Sequence, residues 1–312
     1  MAALDVQRIT LAVIGTASST MREKLGPLLG THKRLGTMRS ITDEDRMTYS
    51  NLLVEQSGPV CRIWLNREPV RNAQSQLLLD ELDAALTRAR DDADTRVVVL
   101  AAKGKHFSAG HDLKEAQEKR ADFSVEERWA YEEKRYFNYC MNLWDFPKPT
   151  VAQVQGACVA AGFMVANMCD LIVASEDAFF SDPVTHTMGA AATEVLIHPW
   201  VMSLRAAKEF LFMGERVSAR RAYELGIVNK VVAIGELPDA AMQVAQRIAQ
   251  APPFAMRILK KSLNRVADAQ GMRQALSAHF DLHQLSHVSS EYLRTRDAGL
   301  AKAIQKGATH GA

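Results

Sequence analysis

Apolar positions switch between two spacings along the chain. Two short apolar-rich runs, Leu52 to Gln56 and Val60 to Leu65, flank Ser57-Gly58-Pro59 and predict a hairpin. A helix is predicted from Gln74 to Asp91, with Leu77, Leu78, Leu82 and Leu86 on one face, and the uninterrupted run Val97 to Ala101 then closes a βαβ unit. A helix is expected within Ser124 to Leu143. The spacing then repeats the strand-and-helix pattern: a strand at Thr150 to Gln155, a small-residue turn at Gly156 to Gly162, an apolar helix ending near Asp170 and a strand at Leu171 to Ala174. Further helix is expected over Thr193 to Met213, a capped short helix over Ser218 to Gly226, and a last strand at Val228 to Val232. From Leu237 the spacing is helical only: Pro238 to Gln250, Pro253 to Val266, Met272 to Ser286 and Glu291 to Gln305. An α/β core at about 49–250 followed by a helical region at 251–312 is the expected organisation. Residues 1 to about 48 hold no lasting period, since Gly15 to Ser19 breaks the apolar stretch at Leu11 to Ile14, and they read as a partly ordered extension.

Composition narrows the function classes. With 312 residues and 47% hydrophobic content the chain can bury a full interior. A net charge of +2, carried by dispersed basic residues, gives no electrostatic case for nucleic acid, and no run of ~18 apolar residues marks a membrane span. Cys61, Cys140, Cys158 and Cys169 lack metal-ligand spacing, so no metal is expected, and the last two sit among apolar residues as small hydrophobes. A reducing cytoplasm fits this usage. A basic, Ser-containing start raises an organelle presequence as the alternative, against which Asp5 and Glu23 intrude.

Two stretches carry the chemistry. In KPTVAQVQGACVAAGFMVANMCDLIVAS (148–175) a strand, a small-residue turn and a helix start present backbone N–H groups without internal acceptors. VVVLAAKGKHFSAGHDLK (97–114) repeats the arrangement, with Asp112 placed to cap its helix. Two such turns can aim two N–H groups at one oxygen, which is how an oxyanion hole is built. The pairing of FSAGHDLKE with PKPTVAQVQGACVAAGFMVANMCDLIVAS resembles the crotonase family, the enoyl-CoA hydratase/isomerase superfamily, over roughly Asn51 to Gly307. The resemblance implies a spiral α+β fold, a crotonase-like ββα superhelix whose C-terminal helices serve trimerisation. It implies an acyl-CoA thioester as ligand, coenzyme A only as part of the substrate, and a trimer or dimer of trimers. The oxyanion donors it implies are the N–H groups of His111 and Ala161, with Ala109, Gly110, Asp112, Leu113 and Gly162 around the thioester. In NREPVRNA (66–73) it places Arg71 to approach a CoA phosphate, the alternative being a solvated surface charge. Trp129, Tyr136 and Tyr139 are either walls of the acyl pocket or plain core.

The proton-moving groups depart from the hydratase pattern. The two slots where the family carries water-holding glutamates contain Met164 and Val184, which move no proton, so two-glutamate hydration is not expected. Other candidates are Glu194, as a pocket group or a helix-start carboxylate; Asp182, as a pocket group or an ordinary turn residue; and His186 on the same segment. The His111 side chain is a separate case, because the methylmalonyl-CoA decarboxylase branch resembles this sequence in having AGHD there. Enolate stabilisation in a hydratase, isomerase or decarboxylase is the enzymatic expectation. Acyl-CoA binding without chemistry is the other.

Overall fold

A computed structural model describes residues 49–295. The expected N-terminal extension, and the end of the helix expected from Glu291 to Gln305, lie outside the described residues. Residues 290–295 are helical.

The hairpin forms as expected: β1 (Leu52–Ser57) and β2 (Val60–Leu65) pair antiparallel across a two-residue turn in which Gly58 takes φ +54°. Parallel strands β3 (Val97–Ala102), β4 (Thr150–Val154), β6 (Leu171–Ser175) and β9 (Lys230–Val232) extend it into a six-stranded sheet of order β1-β2-β3-β4-β6-β9. A second sheet has the order β5-β7-β8, built from β5 (Ala157–Val159), β7 (Phe179–Ser181) and β8 (Val217–Ser218). The central strands β3 and β4 are buried at every position, so β3 reads as an apolar run without alternation, whereas the edge strand β1 is exposed at five of its six positions. Val97 and Val99 of β3 face α10 (Leu237–Ala249), while Val98, Leu100 and Ala102 face the main core.

The helix after β2, α1 (Gln76–Asp91), starts where the Ser75 hydroxyl accepts from the Leu78 N–H. It buries Leu78, Leu79, Leu82 and Leu86, whereas Leu77 is exposed. Three of the four expected face residues are buried: the i, i+4 row 78-82-86 sets the stripe, and Leu79, not Leu77, lies beside it. Helices α2 (Leu113–Arg120), α3 (Val125–Glu132) and α4 (Asn138–Trp144) follow β3, and a single π-helical turn (Glu133–Phe137) joins the last two. α5 (Ala161–Asn167) follows β5 and is buried at every position.

The turn expected over Gly156 to Gly162 therefore contains a strand, and the expected helix stops three residues before Asp170. The expected helix from Thr193 begins later, as α7 (His198–Val201) and α8 (Leu204–Met213), after the one-turn α6 (Val184–Met188). α9 (Ala219–Leu225) has the expected caps, with Ser218 at its start and Gly226 in a left-handed conformation at its end. The C-terminal helices α11 (Pro253–Ala269) and α12 (Met272–Ser286) match expectation. On α11, Phe254, Ile258, Leu259, Leu263 and Val266 are exposed, so this face has no cover within the described chain.

Candidate active site

The loops after β2, β3 and β4 meet at the carboxyl ends of these parallel strands, where open α/β sheets hold ligands. The loop after β2 is shaped by Arg71 and Asn72, at φ +54° and +53°. Asn72 is buried, accepts from the Arg67 N–H at 2.8 Å, and donates to the Lys103 and His106 carbonyls at 2.9 and 2.8 Å. It thereby ties the NREPVRNA turn to the glycine loop after β3. Gln74 completes the tie: its N–H donates to the Gly110 carbonyl (2.8 Å) and its carbonyl accepts from the Asp112 N–H (3.1 Å). Both backbone groups flanking residue 111 thus point at Gln74. In such a parallel bridge the N–H of residue 111 itself is turned to the opposite side.

The second turn lies against the first. Val159 donates to the Ser108 carbonyl at 3.0 Å, and Ala160, at φ +48° and ψ −114°, redirects the chain into α5, whose first N–H belongs to Ala161 and has no acceptor within its own helix. Two glycines permit the contact. A Cβ on Gly110 would stand 3.1 Å from the Val159 carbonyl oxygen and 3.5 Å from the Ala161 nitrogen. One on Gly162 would stand 2.7 Å from the Ser108 oxygen, closer than real Cβ atoms come. The N–H groups of His111 and Ala161 therefore belong to two loops in direct contact.

Beside them runs a cleft lined by Gln74, Leu79, His111, Tyr136, Tyr139, Cys140 and Met164. The His111 ring stacks on Tyr136, centroids 3.8 Å apart, and its Nε2 lies 3.2 Å from Glu194 Oε2. Its Nδ1 is buried with no partner. Burial alone would raise the Glu194 carboxyl, but the charge and hydrogen bond of His111, with His283 behind, outweigh burial and hold it well below the usual carboxylate range. Gln74 reaches the same place, donating to the Ala161 carbonyl at 3.2 Å while its Oε1 stays buried without a partner.

Residues 55–299 match the family described as enoyl-CoA hydratase/isomerase. The chain belongs to this family. It is 40% identical over 248 residues to the Mycobacterium tuberculosis protein named "Putative enoyl-CoA hydratase EchA13", covering 74% of this chain and 78% of that one. Among solved structures, a probable enoyl-CoA hydratase from Mycobacterium smegmatis is 43% identical (76% of this chain, 95% of that chain, TM-score 0.72). An enoyl-CoA hydratase/isomerase from Xanthobacter autotrophicus Py2 is 36% identical (84% and 99%, TM-score 0.76). The protein is thus an enzyme of the hydratase/isomerase family, with the crotonase fold.

Within this crotonase fold the sequence-derived candidates separate into groups. Gly110, His111, Ala161, Gly162 and Met164 come together, and Asp112 caps α2 by accepting from the Glu115 N–H while pairing with Arg67 at 3.0 Å. Leu113 follows it, half-buried, and Ala109 is exposed at the loop tip. Tyr136 and Tyr139 line the cleft, whereas Trp129 packs edge-on against Phe280 of α12. Asp182 is fully buried but engaged, accepting from the Val184 N–H and the Thr193 hydroxyl, with His198 Nε2 at 3.3 Å. His186 is exposed and lies 2.7 Å from the Phe212 carbonyl, away from the cleft. Val184 is half-buried at the start of α6, and Arg71 is half-buried near His106. A larger cleft between the end of α1 and the start of α11 holds Lys148 and Arg96, which bond the carbonyls of Ala89, Asp92 and Ala249 and so cap helix ends. Sequence reasoning missed Gln74, since a glutamine at a helix entrance carries no signal of its own, and it also missed the pairing of His111 with Glu194, which lie 83 residues apart. No helix among the described residues is long and apolar enough to cross a membrane.

Proposed function

We propose that the protein binds an acyl-CoA thioester in the cleft beside His111 and stabilises the derived enolate with the backbone N–H groups of His111 and Ala161. The supporting observation is the interlock of the two glycine turns, which leaves both N–H groups without an internal acceptor. Two such donors in a dry site supply roughly 3 kcal/mol each to a developing oxyanion. The proton is handled by the His111 imidazole, oriented and charge-balanced by Glu194, rather than by a pair of carboxylates, because Met164 and Val184 occupy the water-holding positions. Coenzyme A enters only with the substrate, with Arg71 at the phosphate end, and the uncovered row on α11 supports assembly as a trimer or dimer of trimers in the cytoplasm.

The absence of that carboxylate pair also favours a second reading. Loss of CO2 from a 2-carboxyacyl-CoA breaks the Cα–carboxylate bond and leaves its electron pair as the same enolate, so the step needs the oxyanion donors and no base. Protonation at Cα then completes it. The discriminating experiment is turnover of a panel of 2-enoyl-, 3-enoyl- and 2-carboxyacyl-CoA thioesters by wild type and Glu194→Gln. Turnover of any class by wild type supports the enzyme, and slowing by about 100- to 10,000-fold with binding retained is expected of the substitution for an enoyl class, whose reaction needs the base. Binding of acyl-CoA with no turnover of any class leaves only a binding protein, and no binding at all overturns the reading.

A further inference from the structure

Behind Glu194, His279 and His283 of α12 and His287 at its C-cap follow at four-residue spacing, and the last two meet Glu132, the final residue of α3. Glu132, His283 and His287 are buried. Ligand atoms of Glu132, His283 and His287 lie within 4.8 Å of one another: Glu132 Oε2 is 3.7 Å from His283 Nε2 and 3.9 Å from His287 Nδ1. His283 Nε2 and His287 Nδ1 are buried nitrogens with no hydrogen-bond partner.

The surroundings fix the orientation of each group. His283 Nδ1 lies 3.3 Å from the Ala191 carbonyl, an acceptor only, so the N–H sits on Nδ1 and the Nε2 lone pair points into the cluster. Glu132 Oε1 faces Arg128 at 3.5 Å, and Oε2 accepts from Gln284 Nε2 at 2.6 Å, which aims the carboxylate at the two rings. Glu194 Oε1 closes the other side, 3.8 Å from His283 Nε2. The neutral His283 Nε2, the unpartnered His287 Nδ1 and two carboxylates converge on one buried point, a donor set that a cation would satisfy. A proton on His283 Nε2 meets the two carboxylates only at 3.7 and 3.8 Å, too far for a hydrogen bond to either.

We propose that Glu132, His283 and His287 form a binding site for a divalent transition-metal ion of the zinc type, clamping α3 to α12 behind the cleft. Two imidazoles and a carboxylate favour zinc over calcium or magnesium, which take oxygen donors. At zinc–ligand lengths of about 2.0–2.2 Å, tetrahedral donors sit roughly 3.4 Å apart, so binding draws the Glu132 oxygen toward each imidazole nitrogen by a few tenths of an ångström from 3.7 and 3.9 Å. A fourth position remains for water or Glu194. His287 also borders a surface cleft with Arg128, Gln284 and Val288, which gives the ion a way in.

The test uses the full-length protein, purified without chelator or a metal-affinity step and measured by plasma mass spectrometry. Wild type is expected to carry, or to take up on zinc titration followed by calorimetry, about one equivalent per chain. Stripping it with chelator should lower the melting temperature, and zinc should restore it. His287→Ala and Glu132→Gln should each weaken zinc binding about 10-fold or more; if either fails to fold, stripping and refilling the wild type still decides. Cobalt in the site should give visible d–d bands that His287→Ala abolishes. Wild type that takes up neither zinc nor cobalt, with an unchanged melting temperature, overturns the site and leaves His283 as a buried imidazolium. Uptake unaffected by both substitutions overturns it equally.

Discussion

The two strand–turn–helix units proposed to supply the oxyanion N–H groups are held by different means. The first, β3 to α2, is braced by side chains from elsewhere: Asn72 bonds its loop carbonyls, the Ser108 hydroxyl donates to the Asn72 carbonyl, Arg67 pairs with Asp112, and Glu115 accepts from the Gln76 N–H at the start of α1. The second, β4 to α5, uses fewer, the Gln74 amide donating to the Ala161 carbonyl and His106 Nδ1 accepting from the Ala157 N–H. Backbone bonds from Val159 and Ala160 to Ser108 and Ser181, the absence of a Cβ at Gly162 and one strained alanine fix it, and every residue of α5 is buried. The first unit should fail gradually as polar contacts are removed, and the second abruptly when one carbon is added.

The largest effect is expected at the second unit. Gly162→Ala sets a Cβ 2.7 Å from a backbone oxygen that cannot swing away. Denaturant unfolding should show a loss of about 3 kcal/mol or more, the upper end of what overpacking costs, with acyl-CoA binding lost as well. Asn72→Ala in the first unit leaves two carbonyls and one N–H without partners and should cost about 2–4 kcal/mol. Acyl-CoA affinity should fall with it while the protein stays folded.

A smaller effect separates the units by pH. Burial alone would raise the Glu115 carboxyl, but hydrogen bonds from Lys119 and the Gln76 N–H and the charges of Lys119 and Arg120 outweigh it and lower it. A depressed carboxyl contributes stability that is present above its unfolded value and is lost as pH falls through the folded one. Hydrogen exchange should therefore show the start of α1 and the loop before α2 loosening below about pH 4.5, ahead of β5 and α5, and Glu115→Gln should remove that difference. The smallest effect is a gain: Ala160, at φ +48° and ψ −114°, stores about 1–3 kcal/mol of backbone strain, partly offset by the chain entropy a glycine adds. Ala160→Gly should raise the melting temperature by about 2–4 °C, and a fall would show that the Ala160 methyl packs for more than its strain costs.

The same contrast explains what was legible in the sequence. The hairpin, β3, β4, α12 and the caps of α2 and α9 could be read because each rests on local pattern or a capping residue in its own segment. β7 and β8 could not, being only three and two residues long and existing by pairing with β5 and with each other. The two glycine turns that the structure brings into contact were readable from the family resemblance, because each carries its own local motif. The pairing of His111 with Glu194 was not, because Glu194 reaches His111 from a loop with no period, and Asp182, which looks equally available in sequence, is taken by Thr193 and His198. The cluster of His283 and His287 with Glu132 was not read either, because Glu132 joins it from another helix about 150 residues away in sequence.

The central claim is that one oxygen is shared by the two loops. A crystal structure of the Glu194→Gln protein with its slow acyl-CoA substrate tests it most directly. The account predicts the thioester oxygen about 2.7–3.1 Å from the backbone nitrogens of both His111 and Ala161. A thioester bound with its oxygen on one nitrogen only, or outside the contact between Gly110 and Gly162, would contradict it.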